Sequence, residues 1–486
     1  MEALIVWGIV LLVLISLILT STETPKETNI PGPWRWPIIG NAHHFIGVRS
    51  VQGCLEATMR MSKKYEAPLN RFWIGSKLIV AVNDPNFVQR LLSHRNITSK
   101  DELFYGTLGE ATGAGIFTRN GAEWEAFRKT AVNTMHPKNI PNFHETVLQK
   151  VKNFCEDLDK LVDQGPFDFS TYSKSFFLEM IFATGLGLSD HRFLVNRDTR
   201  LFFIKQIDEL LELSLQNVFC IQSLLGFKII SQKNVSNRLK NIPTTLFTEA
   251  KERMESEGRN YIEEKPRNYM DAVLKTAEAE GKKGIAAALL PVDFIIAGYD
   301  TQSVVFSTLI LYLAMHQEYQ TKLYEEMVSI FGDSDREVCE DDLKKMTYVE
   351  MCLKEALRHT TPAAVIRKVD DDIEIDGYLI PKGATIACVL QMVLNDSKCW
   401  ERPKDFYPDH FLPENVEKRP KGAFLPFATG PRMCPGKMYS HHVLKVVLST
   451  IVRKYHITTD LKYSEINYKV LLMREPDKQI IQLRKR

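Results

Sequence analysis

The chain has 486 residues, 44% hydrophobic and 25% charged, with 62 basic against 60 acidic residues and a net charge of +2. That balance, with no interleaved basic and aromatic stripe, argues against a nucleic-acid partner, and the length suffices for a large core. The 8 cysteines are scattered with no C-x-x-C pair, which argues against a zinc site or disulfide framework and points to a reducing compartment.

Ala3 to Thr20 carry no charge. The run is at the short end for crossing a bilayer, which takes about 17–25 residues. No basic residue precedes it, as a cleaved signal peptide would require, so 1–21 is predicted to be a membrane anchor. Lys26 and Arg35 follow, and the positive-inside tendency then leaves the body in the cytosol. Pro25, Pro31, Pro33 and Pro37 fix φ and remove donors, so 22–37 reads as a stiff extended spacer and 38–486 as one large domain.

Within that domain RFWIGSKLIVAV (Arg71 to Val82) predicts a hairpin turning at Gly75-Ser76. GAEWEAFRK places Trp124 and Arg128 four apart on one helix face. Glu278 to Ala288 reads as a polar loop. DFIIAGYDTQSVVF sets Gly298, Asp300 and Thr301 inside a strongly apolar helix, where buried polar groups need a reason. Thr301 bonding back to the preceding turn is one reason, and a functional site is another. Helical periods run through Ser303 to Met327 and Asp341 to Arg358, the second bringing Glu355 and Arg358 to one face. IEIDGYLI (Ile373 to Ile380) predicts a second hairpin at Asp376-Gly377, with ATIACVL beyond it. The fold class is therefore mainly α with small β-sheets (α+β).

The stretch FATGPRMCPG, from Phe427 to Gly436, sets one cysteine on a glycine-flanked turn before an apolar helix. Gly430 permits a tight bend and Gly436 a close backbone approach. A thiol beside Arg432 and near a helix N-terminus is expected to have a depressed pKa, which suits a metal ligand or a nucleophile. As a zinc ligand Cys434 lacks companions. As a nucleophile it has His441 and His442 as candidate bases. A single thiolate is also what a haem iron can use.

The spacing Phe427-x-x-Gly430-x-Arg432-x-Cys434-x-Gly436 resembles the haem-binding segment of the cytochrome P-450 superfamily. The resemblance implies that fold behind the anchor, and it makes Cys434 the axial ligand of a haem b. It implies that Phe427 packs beside the sulfur, and that Arg432, Arg367, Trp124 and Arg128 hold the propionates. Glu355 and Arg358 are similar to a structural pair of the family. His410 stands where many members have a third-partner arginine, and as a neutral imidazole it would bind Glu355 less firmly. Ala297-Gly298-x-Asp300-Thr301 is similar to the motif on the helix over the distal haem face. There Gly298 would open space for O2, while Asp300 would pass protons through Thr301 so that the O–O bond breaks.

Gly106 to Pro137 and Phe411 to Gly436 look like the fourth-family clan, the fatty-acid omega-hydroxylase type. Many of that clan carry a haem-bonding Glu at the position of Ala297, so a non-covalent haem is expected here. Gln302 replaces a common second threonine. The implied activity is a membrane-bound monooxygenase acting on a small lipophilic substrate at the endoplasmic reticulum, facing the cytosol. Expected partners are an NADPH-cytochrome P-450 reductase, with cytochrome b5 as a further candidate, and the chain is expected to be a monomer. Apolar linings are expected from Phe104 to Phe117, Phe202, Phe203, Ala297, Ala363 to Ile366 and Val470 to Met473. Lys129, Lys437, Lys445 and Arg128 form a candidate basic proximal face. A reductase-independent isomerase or dehydratase and a non-catalytic haem protein are the alternatives; the Asp300-Thr301 pair speaks against the first.

Overall fold

The periodic apolar segments form helices α1 (Val51–Tyr65), α2 (Pro85–Leu92), α3 (Glu102–Thr112), α4 (Gly121–Thr134), α5 (Ile140–Asp159), α6 (Phe169–Gly185), α7 (Arg197–Phe219), α8 (Asn241–Ser256), α9 (Tyr269–Ala279), α10 (Val292–Met315), α11 (Gln317–Phe331), α12 (Thr347–Thr360) and α13 (Lys437–Lys454). This computed structural model describes residues 28–37, 39–48, 50–188, 196–219, 241–260 and 263–486, so the predicted anchor over 1–21 lies outside the described residues.

Helix α10 is apolar nearly all round, and it is buried nearly all round as such a helix must be. Among the described residues it belongs to the one stretch long and apolar enough to cross a membrane, but 83% of that window lies inside the body. It is a core helix. Its main neighbour is α6, and two glycines set their approach. A Cβ at Gly298 would lie 2.5 Å from Ile181 of α6, and one at Gly185 would lie 2.9 Å from Phe294 of α10. Helices α5 and α13 complete the bundle around this pair.

Strands β1 (Leu69–Ile74), β2 (Lys77–Val82), β4 (Val365–Lys368) and β7 (Thr385–Cys388) form a sheet in the order β1-β2-β7-β4, with β2 and β7 parallel. Leu78, Val80 and Val82 feed one apolar cluster, Ile79 and Ala81 another, so both faces of the sheet are covered. Strands β3 (Phe167–Asp168), β8 (Tyr455–Thr458) and β11 (Ile480–Lys485) form a second sheet. Two hairpins complete the set, β5 (Ile373–Ile375) with β6 (Tyr378–Ile380) and β9 (Tyr468–Val470) with β10 (Arg474–Pro476). Both predicted hairpin turns are present, and Gly75, Asp376 and Gly377 take the left-handed backbone that they require.

Three sequence expectations are corrected. Ser303 to Met327 is two helices, broken at His316, which lets Gln317 and Gln320 on α11 donate to the Ile457 carbonyl of β8. Asp341 to Arg358 is broken at Met346, where Glu326 of α11 caps α12 through the N–H groups of Tyr348 and Val349. The loop from Glu278 ends early, because Ile285–Ala288 is already helical. The spacer is also less free than its prolines suggest. Asn29 donates to the Gly377 carbonyl and accepts from the Leu379 N–H, and Ile30 is buried, so the chain is docked on the β5–β6 hairpin from Thr28 onward.

Glu355 of α12 has no exposed surface, and Arg358 binds it through Nε and Nη2 at 2.9 and 2.7 Å. Burial alone would push this carboxyl up, but Arg358 and its other donors hold it well below the ordinary carboxylate range. Arg358 also donates to the carbonyls of Leu394, Pro403 and Asp405, tying α12 to the irregular segment before the cysteine loop. His410 turns Nδ1 to both Glu355 oxygens at 3.2 Å and Nε2 to the Glu401 carbonyl at 2.9 Å. The Tyr407 N–H is a further donor to Glu355. Glu355→Ala strands a buried guanidinium and is expected to cost about 3–5 kcal/mol near neutral pH, read as a lower thermal midpoint. Because the native carboxyl titrates below its unfolded value, that deficit is expected to shrink as pH falls below about 4. An unchanged midpoint would show that the carbonyl bonds of Arg358 suffice without Glu355.

Candidate active site

The cysteine loop is built by backbone that few residues adopt. Ala428 and Gly430 have φ of 56° and 75°, and a Cβ at Gly430 would lie 2.2 Å from the Leu92 carbonyl. The bend returns the Cys434 N–H to the Phe427 carbonyl at 3.0 Å, and Phe427 rests against the His441 ring. Gly436 has an ordinary φ of −85° at the start of α13, and the nearest atom to a Cβ there is the cysteine sulfur, 3.9 Å away. The N–H groups of Gly436 and Lys437 face that sulfur.

Burial raises the Cys434 thiol pKa, against those N–H groups and the positive charge of Arg128. The expected depression by Arg432 is therefore corrected. The Arg432 side chain turns away, donating to the carbonyls of Thr98 and Arg119 and to Asn120, and Arg128 is the cation whose charge reaches the sulfur. A metal would deprotonate such a thiol outright. The two candidate bases are engaged elsewhere, His441 with Glu350 and His442 with His144.

On the other side, Ala297 and Thr301 of α10 line a cavity of about 250 Å³. Thr301 Oγ1 donates to the Ala297 carbonyl at 2.7 Å. Gly298 does not line this cavity, because the space left by its missing side chain is taken by Ile181 of α6. Asp300, one residue from Thr301, likewise faces α6. Burial raises its carboxyl to about 7 against the opposing charge of Lys174, whose Nζ lies 3.9 Å away and 2.9 Å from Asp208 of α7. Thr301 and Asp300 thus lie on adjacent faces of one helix, one toward the cavity and one toward a buried charge network. Gln302 bonds back to Gly298.

Phe104, Phe117, Ala363, Ile366 and Leu471 to Met473 line the cavity as expected. Phe202 is exposed and Phe203 is core, and α7 contributes Leu211 and Ser214 instead. The composition of α7 could not say which face it turns inward. Sequence reasoning missed Asp293, an acid in the cavity wall that accepts the Phe117 N–H at 2.8 Å. It also missed the contributions of α1, β1 and β2. Of the candidate proximal cations, Lys129 and Lys437 are exposed, while Lys445 pairs with Glu350 at 3.0 Å.

Next to the wall residues Tyr105 and Phe117 lies a group of cations, of which Lys100 and Arg367 are buried and Arg432 is half-buried. Arg432 stacks on Trp124 with Cζ 3.7 Å from the ring centre, and its Nη1 is buried without a partner. Burial, with Arg367 nearby, lowers its pKa to about 9. Arg367 on β4 is itself buried. Lys100 joins them, and no local signal marks it in the sequence. Its ammonium lies on the rings of Tyr105 and Phe117, and burial, Arg367 and Arg432 all hold its pKa well down. Such a cluster, with no ion pair to any of the three cations among the described residues, fits an anionic ligand and suits the two carboxylates of a haem. Lys100→Met is expected to speed haem transfer to apomyoglobin about tenfold and to shift the propionate bending band in the resonance Raman spectrum. A rate and band matching the parent would leave Lys100 as aromatic packing only.

The family model for Cytochrome P450 matches residues 30–482. The chain is 28% identical to cytochrome P450 4c21 of Blattella germanica, with 93% of this chain and 92% of that protein covered. It is 26% identical to cytochrome P450 4g15 of Drosophila melanogaster, over 92% and 90%, and 26% identical to cytochrome P450 4V2 of Homo sapiens, over 86% and 82%. A match of this extent, which takes in the Cys434 loop, α10 and the cation group, shows that the chain belongs to the cytochrome P450 family of haem-thiolate monooxygenases.

Proposed function

We propose that this chain is a membrane-associated monooxygenase that hydroxylates or epoxidises a small lipophilic substrate, with Cys434 as the haem ligand. The observation that carries this reading is the chain of contacts from Cys434 through Arg128 and Arg432 to Lys100, which lies on Tyr105 and Phe117 of the wall that Thr301 shares. Haem b, once bound, supplies oxygen activation with two electrons from NADPH through a reductase, so that one oxygen atom enters the substrate and the other leaves as water. The chain supplies the rest. Arg432, Arg367, Lys100 and Trp124 bind and orient the propionates, while Arg128 places positive charge by the thiolate. The N–H groups of Gly436 and Lys437 stabilise the sulfur's charge.

Asp300, with its carboxyl raised to about 7, holds or gives a proton near neutral pH, with Lys174 and Asp208 behind it. Thr301 offers its hydroxyl on the cavity side and passes the proton on, giving up its bond to Ala297 as it does so. Residues 1–21 serve as a single-pass anchor in the endoplasmic reticulum with the body on the cytosolic side. The exposed Trp34 and Trp36, which follow that segment, support placement of this end at a lipid interface.

The difference spectrum of the reduced protein with carbon monoxide tests the ligand. A strongly red-shifted Soret band is expected, lost in Cys434→Ser; a variant with the parent spectrum would place the ligand elsewhere. Thr301→Ala is expected to retain haem and to lower product formed per NADPH by about tenfold or more, with peroxide released instead. Undiminished coupling would remove Thr301 from proton delivery.

A further inference from the structure

We infer that the cavity takes an uncharged ligand, such as a hydrocarbon, alcohol or ester, and rejects one that carries a carboxylate. This rests on the haem-thiolate reading above and narrows its substrate class. The wall reaches from α1 and the β1–β2 hairpin to Thr301, and among the described residues it contains no lysine, arginine or histidine. Two of the five hydroxyls that the described residues bring to the wall are spent on the chain itself. Thr112 donates to the Leu108 carbonyl and Thr301 to the Ala297 carbonyl. Burial raises the Cys54 thiol pKa to about 12, which leaves it neutral. A carboxylate entering this cavity would give up its water for a few neutral hydroxyls and no cation of the described wall, and burying an uncompensated ion is far more costly than burying a neutral chain.

Asp293, the one carboxyl that the described residues bring to the wall, adds to the exclusion above its raised pKa of about 7, where its charge stands beside an apolar volume and repels an anion. A cation gains little in return, because the carboxyl is roofed over. Oδ2 takes the Phe117 N–H, and Oδ1 is closed in by the 113–118 segment, where a Cβ at Gly115 would lie 2.2 Å from it. Asp293 therefore acts through its field and through the loop it holds, not as a ligand contact. Buried cations stand behind the described wall and not in it: Lys100 stacks on Tyr105 and Phe117 and belongs with the propionate set, as does Arg367, which bonds Tyr105, while Arg119, whose charge opposes that of Asp293, is held by Glu123 and Glu280.

The test is a spectral titration of the full-length ferric holoenzyme with three ligands of equal chain length: methyl laurate, laurate and lauryl trimethylammonium. Working near pH 8 keeps laurate ionised, and also Asp293, whose carboxyl burial pushes up to about 7. Methyl laurate is expected to bind about tenfold or more tightly than either ion. Laurate binding within about threefold of the ester would overturn the inference, and so would an ammonium that binds more tightly than the ester. In Asp293→Asn the preference for ester over laurate is expected to narrow by about threefold or more; an unchanged ratio would overturn the role given to Asp293. The reduced carbon monoxide spectrum of the same preparation separates the possible failures. A normal red-shifted band with laurate tightly bound refutes this inference alone, whereas no such band refutes the haem-thiolate reading beneath it.

Discussion

A carboxylate with no contact to solvent anchors the half of the molecule that presents the cysteine. Glu355 has a bidentate partner in Arg358, and Arg358 spends its remaining donors on carbonyls from Leu394 to Asp405. That segment has little regular structure, so it lacks the ladder bonds that would otherwise fix its path. The guanidinium replaces them. His410 sets a ring nitrogen on Glu355 and bonds the Glu401 carbonyl with the other, so the histidine is part of the brace. Arg419 bonds the His410 carbonyl and lies over Trp400 at 4.0 Å, which sets a second cation on the same ring that Arg358 flanks.

The other organising element is α10, which does different work on different faces. Toward α6 it presents Gly298, so the two helices meet closely. Toward the cavity it presents Ala297 and Thr301, small enough to leave room beside them. Its polar side chains largely bond back to the helix itself, as Ser303 and Ser307 do, which is how a buried helix tolerates them.

Much of this was legible wherever the information is local. Asp376-Gly377 and Gly75-Ser76 name their turns because few residues accept that backbone. The cysteine segment is legible for a similar reason: fixed spacing around a tight bend leaves little freedom. What could not be read depends on partners distant in the chain. Lys100 is one lysine in a short irregular stretch, and only the folded chain sets it beside Arg367 and Arg432. Asp293 looks like a polar residue at a helix start until Phe117 is placed against it. Arg432 misled because adjacency in sequence is not direction in space; the bend that points Cys434 one way sends Arg432 toward Thr98 and Arg119. The breaks at His316 and Met346 carry neither proline nor glycine, and they arise from bonds that Gln317, Gln320 and Glu326 make to other elements.

Asp300 faces Lys174 while the residue beside it faces the cavity, and this arrangement bears on how such a protein can diversify. The charged groups that would hold the proton lie off the surface that meets a ligand, and Thr301 alone belongs to both. A substitution among Phe104, Leu211, Ala363 or Leu472 alters the shape offered to a ligand without touching Lys174, Asp208 or Asp300. The two functions are modular on the scale of a single helical turn. Wall changes that spare Thr301 can therefore reshape the space for a ligand while Asp300, Lys174 and Asp208 keep their arrangement.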